Sequence, residues 1–214
     1  MRIELKNIIP NVLNKSPHSY TDIWNKDILI NSKDFVHIIA PSGAGKSTFL
    51  GIIYGTRNDY KGDLLFDNII TEEFKGWSEI RTYQLAIVFQ DLELLDDLTV
   101  MDNIQLKNQL TNHFSNQEIL EMLKKLNIKE LKDQKVGILS RGEKQRVAII
   151  RSLSMPFSWL LLDEPFSALD KENTQNSLSL IKEQVVANNS GVILANLEED
   201  NWFKYTKTFK MVAL

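Results

Sequence analysis

The chain has 214 residues, of which 43% are hydrophobic and 25% charged, proportions that are ordinary for one globular core with or without a smaller lobe. Its net charge of −3 gives no general attraction to nucleic acid or anionic lipid, and the lack of cysteine excludes disulfides and cysteine metal sites. No apolar stretch approaches the roughly 20 residues that cross a bilayer, and the alternating N-terminus is unlike a signal peptide, so we expect a cytoplasmic protein.

Two kinds of strand pattern follow one another along the chain. Segments of alternating polarity predict a small antiparallel layer, at residues 2–6, 27–30 and 63–66. Short apolar runs rich in β-branched residues predict buried strands, at residues 35–40, 85–89, 159–162 and 191–195. Helical patterns separate these runs, so we predict an α/β fold whose main sheet is largely parallel.

Between the second and third apolar runs the periodicity becomes helical. Thr99 with Asp102, and Ser115 with Glu118, have the spacing of helix N-caps. We therefore predict a single domain, 1–214, in which a helical subdomain (91–156) is inserted into a sheet core with its β layer (1–90 and 157–214).

A glycine-rich segment follows the first apolar run. Residues 40–48 read Ala-Pro-Ser-Gly-Ala-Gly-Lys-Ser-Thr and lead into a helix that Gly55 closes. Such a turn directs several backbone N–H groups at one point, where a polyphosphate binds. Lys46 would reach the β- and γ-phosphates, and the Ser47 hydroxyl would complete the coordination of Mg²⁺. The predicted phosphate-binding residues are Ser42, Gly43, Ala44, Gly45, Lys46, Ser47 and Thr48.

The alternative for this segment is an ordinary strand, turn and helix, in which the glycines only permit tight turns. The combination of strand, glycines, lysine and hydroxyl at the motif's spacing disfavours it. Ala40 replaces the motif's first glycine, which is acceptable where the φ angle is negative.

Two acids end the buried strand that begins at residue 159. In a parallel sheet this end lies beside the phosphate-binding turn. Asp163 is then placed to hold Mg²⁺, and Glu164 to accept a proton from the water that attacks the γ-phosphate or to orient it. In the simpler alternative, the two acids only open the turn at Pro165.

Two further candidates are weaker on sequence alone. Gln90 ends the strand at residues 85–89, and its amide oxygen could reach the metal or the attacking water, although a lone glutamine there is usually a surface residue. Ser140 and Glu143 form a capping box before a helix predicted over 144–154. Gly142 destabilises a first helical turn, and a helix N-terminus is also a phosphate site, so cap and ligand both stay open.

Taken in order, these segments resemble the ATP-binding cassette (ABC) ATPases over nearly the whole chain. The residues that carry the resemblance are 40–48, Gln90, 139–146, 161–165 and 167–170. The stretches 88–95, 98–100 and 139–150 are similar to the subfamily that serves lipoprotein release, macrolide efflux and cell division.

The resemblance implies a subunit that hydrolyses ATP with Mg²⁺ at the interface of a head-to-tail dimer, formed with an identical chain or a related cassette. Ser140 and Gly142 of one subunit would close on the γ-phosphate held by the other, and residues 167–170 would couple the two sites. Gln90 would sense a separate membrane permease, docked between sheet and helical subdomain. The chain would then lie at the inner face of the cell membrane. A nucleic-acid partner is not expected, because the sequence has no basic stripe.

Two departures from the family concern how ATP is held. In the family's signature segment, which corresponds to residues 139–143 here, Arg141 replaces the first glycine, and its charge either pairs with phosphate or clashes. Val12 and Leu13 stand where an aromatic residue normally stacks on adenine, while His18 and Tyr20 lie nearby but late in the sequence.

The third departure concerns catalysis, because Asn196 occupies the place of the family's switch histidine. Asparagine can donate a neutral hydrogen bond to phosphate but cannot carry a charge. We therefore expect intact ATP binding and slowed hydrolysis. The alternative function is an ATP-dependent signalling module of a membrane complex, with little turnover and no transported solute.

Overall fold

A computed structural model of the chain describes residues 1–13, 21–71 and 76–212. Besides short 3₁₀ turns, its elements in chain order are β1 (Ile3–Pro10), β2 (Ile28–Ile30), β3 (Phe35–Ile39), α1 (Lys46–Tyr54), β4 (Tyr60–Phe66), β5 (Ile69–Ile70), α2 (Trp77–Tyr83), β6 (Leu85–Val88), α3 (Val100–Asn108), α4 (Asn116–Lys125), α5 (Arg141–Leu153), β7 (Trp159–Asp163), α6 (Lys171–Ala187), β8 (Gly191–Asn196) and β9 (Lys207–Lys210).

The strands form two sheets. The four-stranded sheet has the order β2-β1-β4-β5, and β1 is antiparallel to both of its neighbours. The five-stranded sheet has the order β6-β7-β8-β3-β9, and its pairs are parallel. The predicted α/β class, with a parallel core and an antiparallel layer near the N-terminus, is confirmed.

The parallel sheet separates two hydrophobic cores, and β7 shows how. All five of its residues are buried. Trp159 and Leu161 pack into the core shared with α1 and the antiparallel layer, whereas Leu160 and Leu162 pack into the core shared with α3–α6. Successive strand residues face opposite sides of a sheet, so a strand covered on both sides is apolar throughout. This is why the run from residue 159 has no polar alternation.

One glycine in this sheet is required by packing. Gly191 lies opposite Trp159 in the register of β7 and β8. A Cβ at Gly191 would stand only 2.4 Å from the indole ring. The glycine thus makes room for the largest fully buried side chain of the core.

Several boundaries differ from those predicted. Helix α5 begins at Arg141 instead of residue 144, because Ser140 is its N-cap and forms the capping box with Glu143. The predicted caps at Thr99 and Ser115 are present. Neither α2 nor β9 was predicted from the sequence.

Within the described parts of the chain, no helix is both long and apolar enough to cross a membrane.

Candidate nucleotide site

The glycine-rich segment forms a tight loop between β3 and α1. Gly43 and Gly45 have φ angles of +79° and +101°, a region that side-chain-bearing residues rarely adopt. Ala40 does not lie in that region, and its N–H donates to the carbonyl of Asn196 at 3.1 Å. Alanine therefore fits at the position of the motif's first glycine without backbone strain.

Lys46 opens α1, and its ammonium group lies among three oxygen acceptors. Its Nζ is 2.7 Å from the carbonyl of Ala40, 3.2 Å from that of Pro41 and 3.2 Å from Oε1 of Glu164. The lysine is only 5% exposed, so these acceptors fix the position of its charge. They hold it at the mouth of the loop, where backbone N–H groups would meet phosphate oxygens.

The oxygen donors predicted for a metal lie together beside Lys46. Ser47 donates its hydroxyl to Oε1 of Gln90 at 3.3 Å. Asp163 is buried at the end of β7, and its Oδ1 has no hydrogen-bond partner. Hydroxyl, amide and carboxylate oxygens are the donors that Mg²⁺ takes alongside phosphates. The described residues contain no cluster of three or more acidic, histidine or cysteine side chains that would hold a metal alone.

The electrostatics of Asp163 favour a nearby cation. Burial raises the pKa of Asp163, and the charge of Glu164 raises it further, while the nearby Ser47 hydroxyl and the Lys46 charge act in the opposite direction. A buried carboxylate with an unsatisfied oxygen is costly unless a cation or a donor reaches it. The orphaned Oδ1 therefore fits a magnesium ligand.

Glu164 follows β7 in an uncommon backbone conformation. Its φ angle is +46°, and its N–H donates to the carbonyl of Ala195 at 3.0 Å. The turn directs the carboxylate back to Lys46, and this side chain is 11% exposed. Strained residues of this kind persist where surrounding contacts hold them, commonly at functional sites.

A cavity of about 160 Å³ marks the centre of this arrangement. Its lining contains most of the predicted phosphate residues together with two of the predicted catalytic ones: Ser42, Gly43, Gly45, Lys46, Ser47, Thr48, Gln90 and Glu164. A larger open groove, of about 630 Å³, lies between α3 and α4 and contains none of them. The predicted phosphate-binding and catalytic residues therefore meet at the smaller cavity.

Ser140 and Gly142 are not among the residues that line this cavity. They stand at the exposed N-terminus of α5, where the Ser140 hydroxyl donates to Oε2 of Glu143 at 2.7 Å and accepts the Glu143 N–H at 3.3 Å. The capping box is therefore formed. A Cβ at Gly142 would approach the carbonyl oxygen of Ala168 to 2.9 Å, so the glycine lets the helix pack closely on the loop after β7.

Asn196 adjoins the site through its backbone, but its side chain is held elsewhere. Its Nδ2 donates to Oδ2 of Asp200 at 3.4 Å, and Asn196 is not among the residues that line the cavity. Asp200 in turn lies 3.0 Å from Nε2 of the buried His37 and accepts the hydroxyl of Tyr205. Although burial alone would raise the pKa of Asp200, the nearby His37 imidazole and hydrogen bonds from the Tyr205 hydroxyl and the N–H of Trp202 lower it. Asp200 is thus a well-anchored carboxylate.

The region expected to contact adenine is only partly described. Val12 lies in a 3₁₀ turn, Asn11–Leu13, and is 63% exposed. His18 and Tyr20 lie outside the described residues.

Arg151 contacts the segment just after Gln90, and the sequence did not predict this contact. Near the end of α5, its guanidinium donates to the carbonyls of Glu93 at 2.5 Å and Leu92 at 2.6 Å. These two residues have φ angles of +51° and +62° and lie just after Gln90. Burial lowers the pKa of Arg151. No local pattern links an arginine to carbonyls so far away in the chain.

The chain matches a known protein family and several of its members. Residues 25–167 match the family described as ABC transporter. The phosphonates import ATP-binding protein PhnC of Fusobacterium nucleatum is 36% identical over 204 residues, which cover 90% of this chain and 81% of that protein. The lipoprotein-releasing system ATP-binding protein LolD of Buchnera aphidicola is 32% identical over 192 residues, with coverages of 86% and 84%.

The fold is also that of a solved protein, MJ0796 of Methanocaldococcus jannaschii, a bacterial ABC transporter cassette in a dimeric structure. That structure superposes with a TM-score of 0.82 at 27% identity, over 99% of this chain and 94% of the other. A second structure of the same cassette, in a post-hydrolysis state bound to ADP and Pi, gives 0.74 at 28% identity, with coverages of 92% and 88%.

Proposed function

Because this chain belongs to the ABC transporter family, as an ATP-binding subunit with ATPase activity, we propose that it drives a separate membrane permease by hydrolysing ATP in a head-to-tail dimer. One observation carries the proposal. The phosphate loop, the unsatisfied Asp163 and the strained Glu164 meet around the ammonium group of Lys46. Phosphoryl transfer to water requires a phosphate-binding loop, a ligand for the metal and a general base, and these residues supply all three.

In the proposed site, residues Ser42 to Thr48 hold the polyphosphate. The backbone N–H groups of the loop and of the first turn of α1 face the anion, and the helix N-terminus adds a partial positive charge. Lys46 contributes the full charge, on the β- and γ-phosphates. Ala44 is 2% exposed and packs into the core that the loop shares with α1.

Ser47, Gln90 and Asp163 are the residues that would hold Mg²⁺, which supplies charge neutralisation at the phosphates when bound. Glu164 accepts a proton from the attacking water, and Gln90 helps to orient that water. The Ser47–Gln90 contact of 3.3 Å supports their joint assignment.

A second subunit completes the site. Ser140 is exposed and Gly142 half-buried at the N-terminus of α5, and neither lines the cavity of its own chain, as expected if they meet the nucleotide of the partner. The partner is an identical chain or a related cassette. Release of the γ-phosphate removes the charge that holds the two subunits together.

A permease would dock between the parallel sheet and the helical subdomain, residues 91–156, next to Gln90. This docking would hold the chain at the inner face of the cell membrane. The relatives PhnC and LolD are named for phosphonate import and lipoprotein release, so similarity does not single out one cargo. A net charge of −3 gives no general attraction to nucleic acid, so no nucleic-acid partner is proposed.

Replacing Asn196 with histidine should raise the maximal rate of ATP hydrolysis by about tenfold or more. Imidazole reaches further than a carboxamide, and Asp200 is already anchored within hydrogen-bond reach of this position. The measurement is phosphate release at saturating ATP, with Asn201→His, an exposed neighbour, as the matched control. Turnover of Asn196→His equal to that of the unmodified chain would contradict the idea that Asn196 slows hydrolysis.

The coupling to a permease is tested by the rate of phosphate release from the chain alone and from its native membrane complex in vesicles. A transport subunit should turn over ATP several-fold faster in the complex, because docking at Gln90 acts on the catalytic water. Equal, slow rates in both preparations, with ATP-dependent dimerisation intact, would point instead to a signalling module.

A further inference from the structure

Gln145 is a buried glutamine in α5 that bridges two points of the loop after β7. It is 3% exposed. Its Nε2 donates to the carbonyl oxygen of Glu164 at 3.1 Å, and its Oε1 accepts the N–H of Ala168 at 2.9 Å. Both ends of one carboxamide are thus used, each with the polarity that its partner requires.

The bridge acts on the backbone of the proposed general base. Glu164 has a φ angle of +46°, and its carbonyl accepts from Gln145 and from the N–H of Ser167 at 3.3 Å. Its own N–H is bound by Ala195. With both its N–H and its carbonyl bound, Glu164 cannot relax to an ordinary backbone conformation without breaking hydrogen bonds. That backbone conformation directs the carboxylate to within 3.2 Å of Lys46.

The same contacts join the loop to the first turns of α5. Gly142 lies so close to Ala168 that even a methyl group would press on its carbonyl oxygen at 2.9 Å. Gln145 lies about one turn further along the helix, and its side-chain oxygen accepts the N–H of the same Ala168. The N-terminus of α5 and the loop that carries Glu164 are therefore held as one unit.

We propose that Gln145 is a positioning residue for ATP hydrolysis: it sets the backbone of Glu164 from α5, the helix whose N-terminus meets the nucleotide of the partner subunit. This proposal rests on the proposed function. Gln145 makes no contact with the reacting atoms and does not bind ATP. Its loss should slow the chemical step and leave nucleotide affinity unchanged.

The test is Gln145→Met, which keeps the length of the side chain and removes both hydrogen bonds. We expect kcat for phosphate release to fall by between about tenfold and a hundredfold, because small misplacements of a catalytic group have effects of this size. The KM for ATP and the Kd of ATP, measured by calorimetry, should stay within about threefold of the unmodified values, since the phosphate loop is untouched. A purely structural role would instead change affinity and rate together.

Gln184→Met is the matched control. Gln184 is also a buried glutamine, 8% exposed, but lies near the far end of α6, about 20 Å along that helix from the loop. Its replacement should leave kcat unchanged. If Gln145→Met does not fold, Gln145→Asn retains the carboxamide but retracts it by one methylene, and should reproduce the fall in kcat.

Three results would overturn the proposal: an unchanged kcat, a KM that rises in step with the loss of rate, or an equal loss in Gln184→Met. Failure of the proposed function is recognised separately, since the unmodified chain would then neither bind nor hydrolyse ATP in the same assays.

Discussion

Lys46→Ala should strongly slow ATP hydrolysis and weaken ATP binding by at least about tenfold. Hydrogen bonds to a charged group contribute about 1.5–3 kcal/mol, which corresponds to roughly tenfold to a hundredfold in affinity. The loss in rate should be larger, about a hundredfold to a thousandfold, because the ammonium group also neutralises charge that develops in the transition state. Calorimetry with ATP and phosphate release at saturating ATP measure the two effects.

The controls for this result follow from the burial of Lys46. The side chain is 5% exposed and donates to Ala40 and Pro41, so its removal also affects the loop itself. Lys46→Met retains the apolar stem and separates the loss of charge from the loss of packing. Lys124→Ala removes an exposed lysine of α4 and should change neither quantity. ATP binding and hydrolysis unaltered in both Lys46 variants would contradict the proposed site.

Glu164→Gln should remove hydrolysis yet leave a dimer that persists in ATP. A general base contributes about a hundredfold to ten-thousandfold in rate, and an amide cannot take the proton. The change also removes the carboxylate that lies 3.2 Å from Lys46, so the ammonium group is freer to meet phosphate. We therefore expect ATP to bind at least as tightly as in the unmodified chain.

Size-exclusion chromatography in ATP and in ADP reads out this dimer. Glu164→Gln should elute as a dimer in ATP and as a monomer in ADP, while Glu130→Gln, an exposed acid outside the site, should behave like the unmodified chain. A variant that hydrolyses ATP at the normal rate would show that Glu164 is not the base. A monomer in both nucleotides would contradict the proposed head-to-tail dimer.

The parallel sheet and the phosphate loop were predictable because their signals are local. The strands of the core are continuous apolar runs, and the loop is a contiguous motif whose spacing is itself the information. Membership of the ABC family followed from several such motifs in a fixed order, and is confirmed. The division into a sheet core and a helical subdomain at residues 91 and 156 stays a prediction.

The elements that the sequence missed have weak local signals. Helix α2 buries only Ile80, so no apolar stripe repeats along it. Strand β9 has no fully buried residue and is defined by its parallel pairing with β3. Pairing partners far apart in the chain are invisible to periodicity, which reports only the burial of one segment.

The same limit applies to the site. The contacts of Gln145 with Glu164 and of Asn196 with Asp200 depend on how α5, β7 and β8 come together. The sequence placed Asn196 at a switch position but could not show that its amide is tied to an anchored carboxylate. The catalytic and binding roles assigned to these residues stay predictions until the variants are measured.

The two hydrogen bonds from the guanidinium of Arg151 hold the backbone of Leu92 and Glu93, just after Gln90, in a conformation that these residues do not favour on their own. Leu92 and Glu93 are two successive non-glycine residues with left-handed backbone conformations, each of which costs on the order of 1–3 kcal/mol. The hydrogen bond from the guanidinium of Arg151, 58 positions later in the chain, to the carbonyl of Glu93 offsets this cost. The surface next to Gln90, where we propose that a permease docks, is thereby held in shape by the far end of α5. A tilt of that helix would be transmitted as a change in surface shape, with no hinge in between.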